Sequence, residues 1–157
     1  MSEVGSDEAV AGGKEVATGM GSGRAEGGQG AYVLDSSALL CLMNGEPGAD
    51  RVAAVLPRAA ISAVNLAEVA TKLNELGADA DEARALLAPL HLAVAPFDEG
   101  AAFATGALRA ATRGQGLSLG DRACLALAAA RGAVALTADK AWAGLGDLAG
   151  VPVELLR

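Results

Sequence analysis

Four carboxylates stand where apolar segments give way to polar ones: Asp35 in YVLDSSALL, Glu68 in ISAVNLAEV, Asp121 in LSLGDRACLALA and Asp139 in LTADKAW. Gathered in one place they would need a cation. Two unit charges about 4 Å apart repel by about 4 kcal/mol at an effective dielectric of about 20. Either some of the acids stay protonated or a divalent metal sits among them. An all-oxygen donor set selects Mg²⁺ or Mn²⁺, whereas Zn²⁺ recruits His or Cys. Acid-only Mg²⁺ sites serve phosphoryl chemistry, where the metal activates water and stabilises charge on the phosphate and the leaving oxygen. His91, the single histidine, falls in LHLAV and reads as a packing or edge residue of a strand.

Each acid also has a structural alternative. SLGD has the S-x-x-D form of a capping box, and NLAE has comparable spacing. Glu68 can pair with Lys72 at i,i+4 on a solvated helix face. Asp35 and Asp139 can be ordinary helix N-caps, and Asp98 in PFDEGAAF is read only as one. Capping alone accounts least well for Asp121. Its neighbours at i+3, i+4 and i+7 are Cys124, Leu125 and Ala128, which places it on an inward row.

The acids converge only if the elements between them are arranged suitably. AYVLD reads as a strand and SSALLCLMN as the helix after it; GADRVAAVLPR is helical, AAISAV a second strand and NLAEVATKLNEL a helix. ADEARALLAPL is helical, LHLAVAPF a strand and DEGAAFATGALRAATR a long helix. The loop GQGLSL then leads into a helix beginning at LGDRACLA, followed by the strand GAVALT, a short helix DKAWAGL and a last strand VPVELL. Strands that are continuous apolar runs, alternating with helices, imply a three-layer α/β sandwich around a mainly parallel sheet. Parallel strands end on one edge, and ligands bind outside that edge. Topology therefore brings Asp35, Glu68, Asp121 and Asp139 to a common side.

Bulk composition sets the limits. A chain of 157 residues is one domain, and 52% hydrophobic with 3% aromatic content means a core of Ala, Leu and Val. A net charge of −7 excludes a broad basic surface for nucleic acid, so any contact to RNA must be local. Cys41 and Cys124 lie in apolar helical stretches and read as buried thiols. Residues 1–30 hold nine of the 21 glycines and no aromatic residue, and read as a disordered tail, with Met20 an alternative start; residues 31–157 form the domain. No stretch has the length of a membrane span and no apolar export signal opens the chain, so a cytoplasmic protein is expected.

In order and spacing, YVLDSSALL, ISAVNLAEV, LSLGDRACLALA and LTADKAW resemble the PIN-domain ribonucleases of the VapC toxin type, over roughly residues 31–157. The resemblance implies that Asp35, Glu68, Asp121 and Asp139 bind Mg²⁺ or Mn²⁺ and direct water at an RNA phosphodiester, with Ser36 and Thr137 supporting them. It also implies a homodimer and a small cognate antitoxin whose C-terminal segment lies across the site. The helices near SALLCLM and EVATKL are candidates for that groove, or are simply core. Arg109, Arg113, Arg122 and Lys140 are candidate phosphate contacts, although Arg109 and Arg113 equally suit a solvated helix face. The alternative function is a PIN-like module that binds RNA or protein without cleaving. A haloacid-dehalogenase-like phosphatase would need a second aspartate two residues after Asp35, where Ser37 stands.

Overall fold

The computed structural model describes residues 31–157; the tail expected over residues 1–30 lies outside them. From β1 (Tyr32–Leu34) the chain enters α1 (Ser36–Met43) and α2 (Ala49–Val55), then β2 (Ala59–Ser62), α3 (Ala63–Glu75) and α4 (Ala80–Leu87). It continues through β3 (Ala93–Ala95), α5 (Glu99–Thr112) and α6 (Leu119–Arg131). β4 (Val134–Thr137), α7 (Leu145–Ala149) and β5 (Val153–Leu155) complete it. All strand pairs are parallel, in the order β3-β2-β1-β4-β5. The expected three-layer sandwich is the observed architecture.

The central strands β1, β2 and β4 are mostly apolar and buried because both faces of the sheet are covered there. Tyr32, Leu34 and Leu136 pack with Val52 and Val55 of α2 on one face. Ile61 extends that face toward Leu39, Val69 and Leu73. Val33 and Ala135 turn the other way, into Cys124, Leu125, Ala128, Trp142 and Leu145. With so few aromatics, the fully buried Trp142 is the largest side chain in the core.

Two segments differ most from the sequence reading. LHLAVAPF is a strand only at Ala93–Ala95: a 3-10 turn precedes it, and Pro96 has no N–H to extend it. His91 is therefore not a strand residue but exposed and left-handed (φ 47°), just after that turn. DKAWAGL splits into a 3-10 turn at Lys140–Trp142 and the separate α7, with Gly144 (φ 77°) between them.

Strand order locates the crevice. From β1 the chain builds outward through β2 and β3, then returns across the sheet to β4 on the opposite side of β1. The direction reverses at the β1–β4 pair, and a crevice opens beyond the C-terminal ends of those two strands.

Candidate functional site

Asp35 is the first residue beyond β1, and its N–H donates to Leu136 O (3.2 Å), continuing the β1–β4 ladder by one bond. Its side chain caps α1 by accepting from Ala38 N (2.8 Å). Capping does not exhaust it. Ser37 Oγ donates to Oδ1 (2.7 Å) and Thr137 Oγ1 donates to Oδ2 (2.5 Å). Each hydroxyl has one proton, and both are directed at Asp35. In turn Ser37 Oγ accepts from Ala138 N and Thr137 Oγ1 from Asp139 N, tying the chain after β4 to the same group. The carboxyl is 3% exposed, and burial pushes its pKa up to about 6; the three hydrogen bonds counter that shift and the charge of Asp121 adds to it.

Asp121 sits in the first turn of α6, and here the capping alternative is realised. Ser118 Oγ accepts from Asp121 N (3.1 Å) while Asp121 Oδ2 accepts from Ser118 N (2.9 Å). The inward-row argument holds as well, since Cys124, Leu125 and Ala128 are fully buried. Asp121 Oδ1 has no hydrogen bond among the described residues. Cap and site share one side chain.

Glu68 lies one turn further into α3 than a cap would. The cap is Ser62, whose Oγ accepts from Val64 N, so NLAE is not a capping motif. Asn65 is instead buried, and its Nδ2 donates to Glu68 Oε1 (2.8 Å) and to Gly120 O (3.0 Å). Lys72 pairs with Glu75 (3.4 Å) rather than with Glu68. A cleft of about 340 Å³ runs between α1 and α3, lined by Ser36, Leu40, Glu68, Thr71, Lys72 and Glu75.

Asp139 is exposed. Its Oδ1 accepts from Ala141 N (2.9 Å), capping the turn that holds Lys140, and it reaches Asp35 only through Thr137. The other three acids act on one point: burial first, then the charges of Asp35, Asp121 and Glu68 push the Cys124 thiol far up. Among the basic candidates, Arg109 on α5, Arg113 in the turn after it and Lys140 are exposed. Arg122 is partly buried and gives Nη1 to Thr105 O (3.2 Å), joining α6 to α5. The sequence reading passed over Ser37 and the role of Asn65. An asparagine three residues before an acid, inside a helix it disfavours, was the available signal.

Among the described residues no three acidic, histidine or cysteine side chains are gathered closely enough to hold a metal ion as they stand. The chemistry of the donors nevertheless fits a hard divalent cation. All are oxygens, Asp35 is buried without a basic partner among the described residues, and Asn65 Oδ1 is buried with none.

A family model described as PIN domain matches residues 32–148. The fold is similar to that of the DNA-bound VapBC of Salmonella typhimurium, at 22% identity and a TM-score of 0.63, covering 81% of this chain and 98% of that one. It is also similar to a toxin-antitoxin complex from Klebsiella pneumoniae (23%, TM-score 0.62, 81% and 98%). VapBC-5 from Mycobacterium tuberculosis, of the VapBC family of toxin-antitoxin systems, is 28% identical with a TM-score of 0.52, covering 82% and 98%. No curated protein matches the chain.

Proposed function

The chain belongs to the PIN-domain family, and from that membership we propose that it is a Mg²⁺- or Mn²⁺-dependent endoribonuclease acting as the toxin of a toxin–antitoxin pair. One observation carries the reading: Asp35 is a buried carboxylate at the β1–β4 reversal, beside like charge and without a basic partner among the described residues. A residue kept only to cap α1 would sit in solvent, as Asp98 does at the start of α5.

Asp35, Glu68, Asp121 and Asp139 would hold the ion, which when bound would supply a water nucleophile and charge stabilisation at the scissile phosphate. Ser37 and Thr137 hold Asp35 in one orientation by donating to opposite oxygens. Asn65 holds Glu68. Asp121 and Asp139 each keep one carboxylate oxygen free of hydrogen bonds among the described residues, so these two close the set. Ser36 borders the cleft beside Glu68. Arg109, Arg113 and Lys140 are the phosphate contacts; Arg122 serves the α5–α6 contact first. An antitoxin partner is what the VapBC and toxin-antitoxin names of the similar structures suggest; its segment would lie along the α1–α3 cleft, and a second copy would complete a homodimer.

Purified protein incubated with a panel of tRNA and rRNA fragments tests the reading. Cleavage with Mg²⁺ or Mn²⁺, lost in EDTA and in Asp35→Asn, is the expected outcome. Metal-independent cleavage, or full activity in Asp35→Asn, overturns it. A chain that binds these RNAs without cutting any is the non-catalytic module instead.

A further inference from the structure

We infer that Asn65 and Gly120 form a clamp that positions Glu68, an inference that takes its purpose from the nuclease reading but its geometry from the structure alone. Asn65 is 1% exposed, on the buried side of α3, and Glu68 follows on the same face of the helix. Both amide protons are engaged: one reaches Glu68 Oε1 at 2.8 Å, the other Gly120 O at 3.0 Å, across 55 residues of chain. Two acceptors fix the orientation of the amide, because the flipped form would set Oδ1 against a carboxylate and a carbonyl. The residue leaves Oδ1 buried with no partner in the protein. Leucine would fill the same place without that penalty, so packing does not explain the asparagine.

Gly120 supplies the other jaw. It is buried in the first turn of α6 with no left-handed φ, so its backbone does not require glycine. Glycine is also among the poorest helix formers. What the position does require is space: a Cβ there would overlap the Glu68 carboxylate, both oxygens included. Two residues on separate helices thus each accept a local cost that only Glu68 explains. Lys72, one turn ahead, bonds Glu75 rather than Glu68. Glu68 forms no ion pair among the described residues and lines the α1–α3 cleft. Asn65 and Gly120 are positioning residues; the group they position is the one that meets the metal.

The test uses the whole chain and has a metal-free and a metal-bound part. In EDTA, NMR of the Asn65 side-chain amide should give two protected protons, and Glu68→Ala should shift one of them and speed its exchange while leaving the Gly120-bonded proton in place. Calorimetric Mn²⁺ titration should then find that Asn65→Leu and Gly120→Ala each weaken binding about tenfold, as loss of a group that orients a metal ligand does. In a Glu68→Ala background neither should weaken it further, a result that general damage to the fold would not give. Unmoved Asn65 amide resonances in Glu68→Ala, unchanged Mn²⁺ affinity in both variants, or an equal loss in the Glu68→Ala background overturns the clamp. Wild-type protein that binds no Mn²⁺ overturns the metal-nuclease reading, and the amide resonances still decide the clamp.

Discussion

Two charged groups in this molecule are built on opposite plans. On the α2 flank, Arg51 donates to both oxygens of Glu154 on β5 (2.8 and 3.2 Å) and to Tyr32 Oη (2.8 Å), with its guanidinium 5.4 Å from the Tyr32 ring. There the two opposite charges meet directly. Beyond the C-terminal ends of β1 and β4 the acids form no ion pair among the described residues: Asp35 is buried, Asp121 raises its proton affinity, and Lys72 bonds Glu75 rather than Glu68. Paired charge near the surface adds little to stability and needs no further explanation. Buried acidic charge held by dedicated hydroxyls, as at Asp35, is destabilising on its own terms, which makes it the signature of a group awaiting a ligand.

That contrast can be broken or sharpened by experiment. The largest effect belongs to activity: Asp35→Asn should lower RNA cleavage by about three orders of magnitude, as loss of a group stabilising transition-state charge does. The same variant should nevertheless be more stable than wild type at pH 7.5 in EDTA. A folded-state pKa raised to about 6 from 3.8 means that the folded protein binds the proton more tightly than the unfolded chain. The protonated form therefore favours folding below about pH 4, and that contribution is lost as pH rises through 6. A shift of about two units corresponds to about 3 kcal/mol, which Asn, neutral at every pH, recovers above pH 6. Urea melts across pH 4–8 should find the advantage of Asp35→Asn vanishing at the acid end. A variant less stable than wild type at pH 7.5 would refute the account of Asp35.

Metal should reverse the order of stabilities. At Mn²⁺ about 100-fold above its dissociation constant, wild type should gain about 2.7 kcal/mol at pH 7.5, and Asp35→Asn should gain little. Equal gains would place the ion elsewhere. The smallest effect belongs to the paired group: Arg51→Ala should leave cleavage unchanged and move the melting temperature by no more than about 2 °C, less still in high salt. A large loss there would erase the distinction between the two regions.

Much of the fold was legible because periodicity and end signals are local. Asp98 caps α5 and Ser118 with Asp121 boxes α6, each where its residue type pointed. Failures came where a neighbour along the chain overruled the apolar or capping pattern. LHLAVAPF has enough apolar residues for a longer strand, but the turn that ends at Leu90 and the missing N–H of Pro96 leave three residues to pair with β2. NLAE resembles a cap, yet Ser62 already occupies that position, which releases Asn65 for a contact with Gly120.

The sequence by itself determined the alternation of strands and helices, the parallel sheet that follows from it, and the four acids at element boundaries. Those properties depend on residue type and on spacing along a few turns, which any reader of the chain possesses. Only the tertiary structure decided what surrounds each acid: that Ser37 and Thr137, rather than a base, receive Asp35; that Asn65 bridges to Gly120; and that Arg122 is drawn to α5. Desolvation and hydrogen bonding act over a few ångströms in space, whereas Arg122 and Thr105 stand 17, Asn65 and Gly120 stand 55, and Asp35 and Thr137 stand 102 residues apart in the chain. No local pattern encodes such a meeting until the sheet has brought its strand ends together.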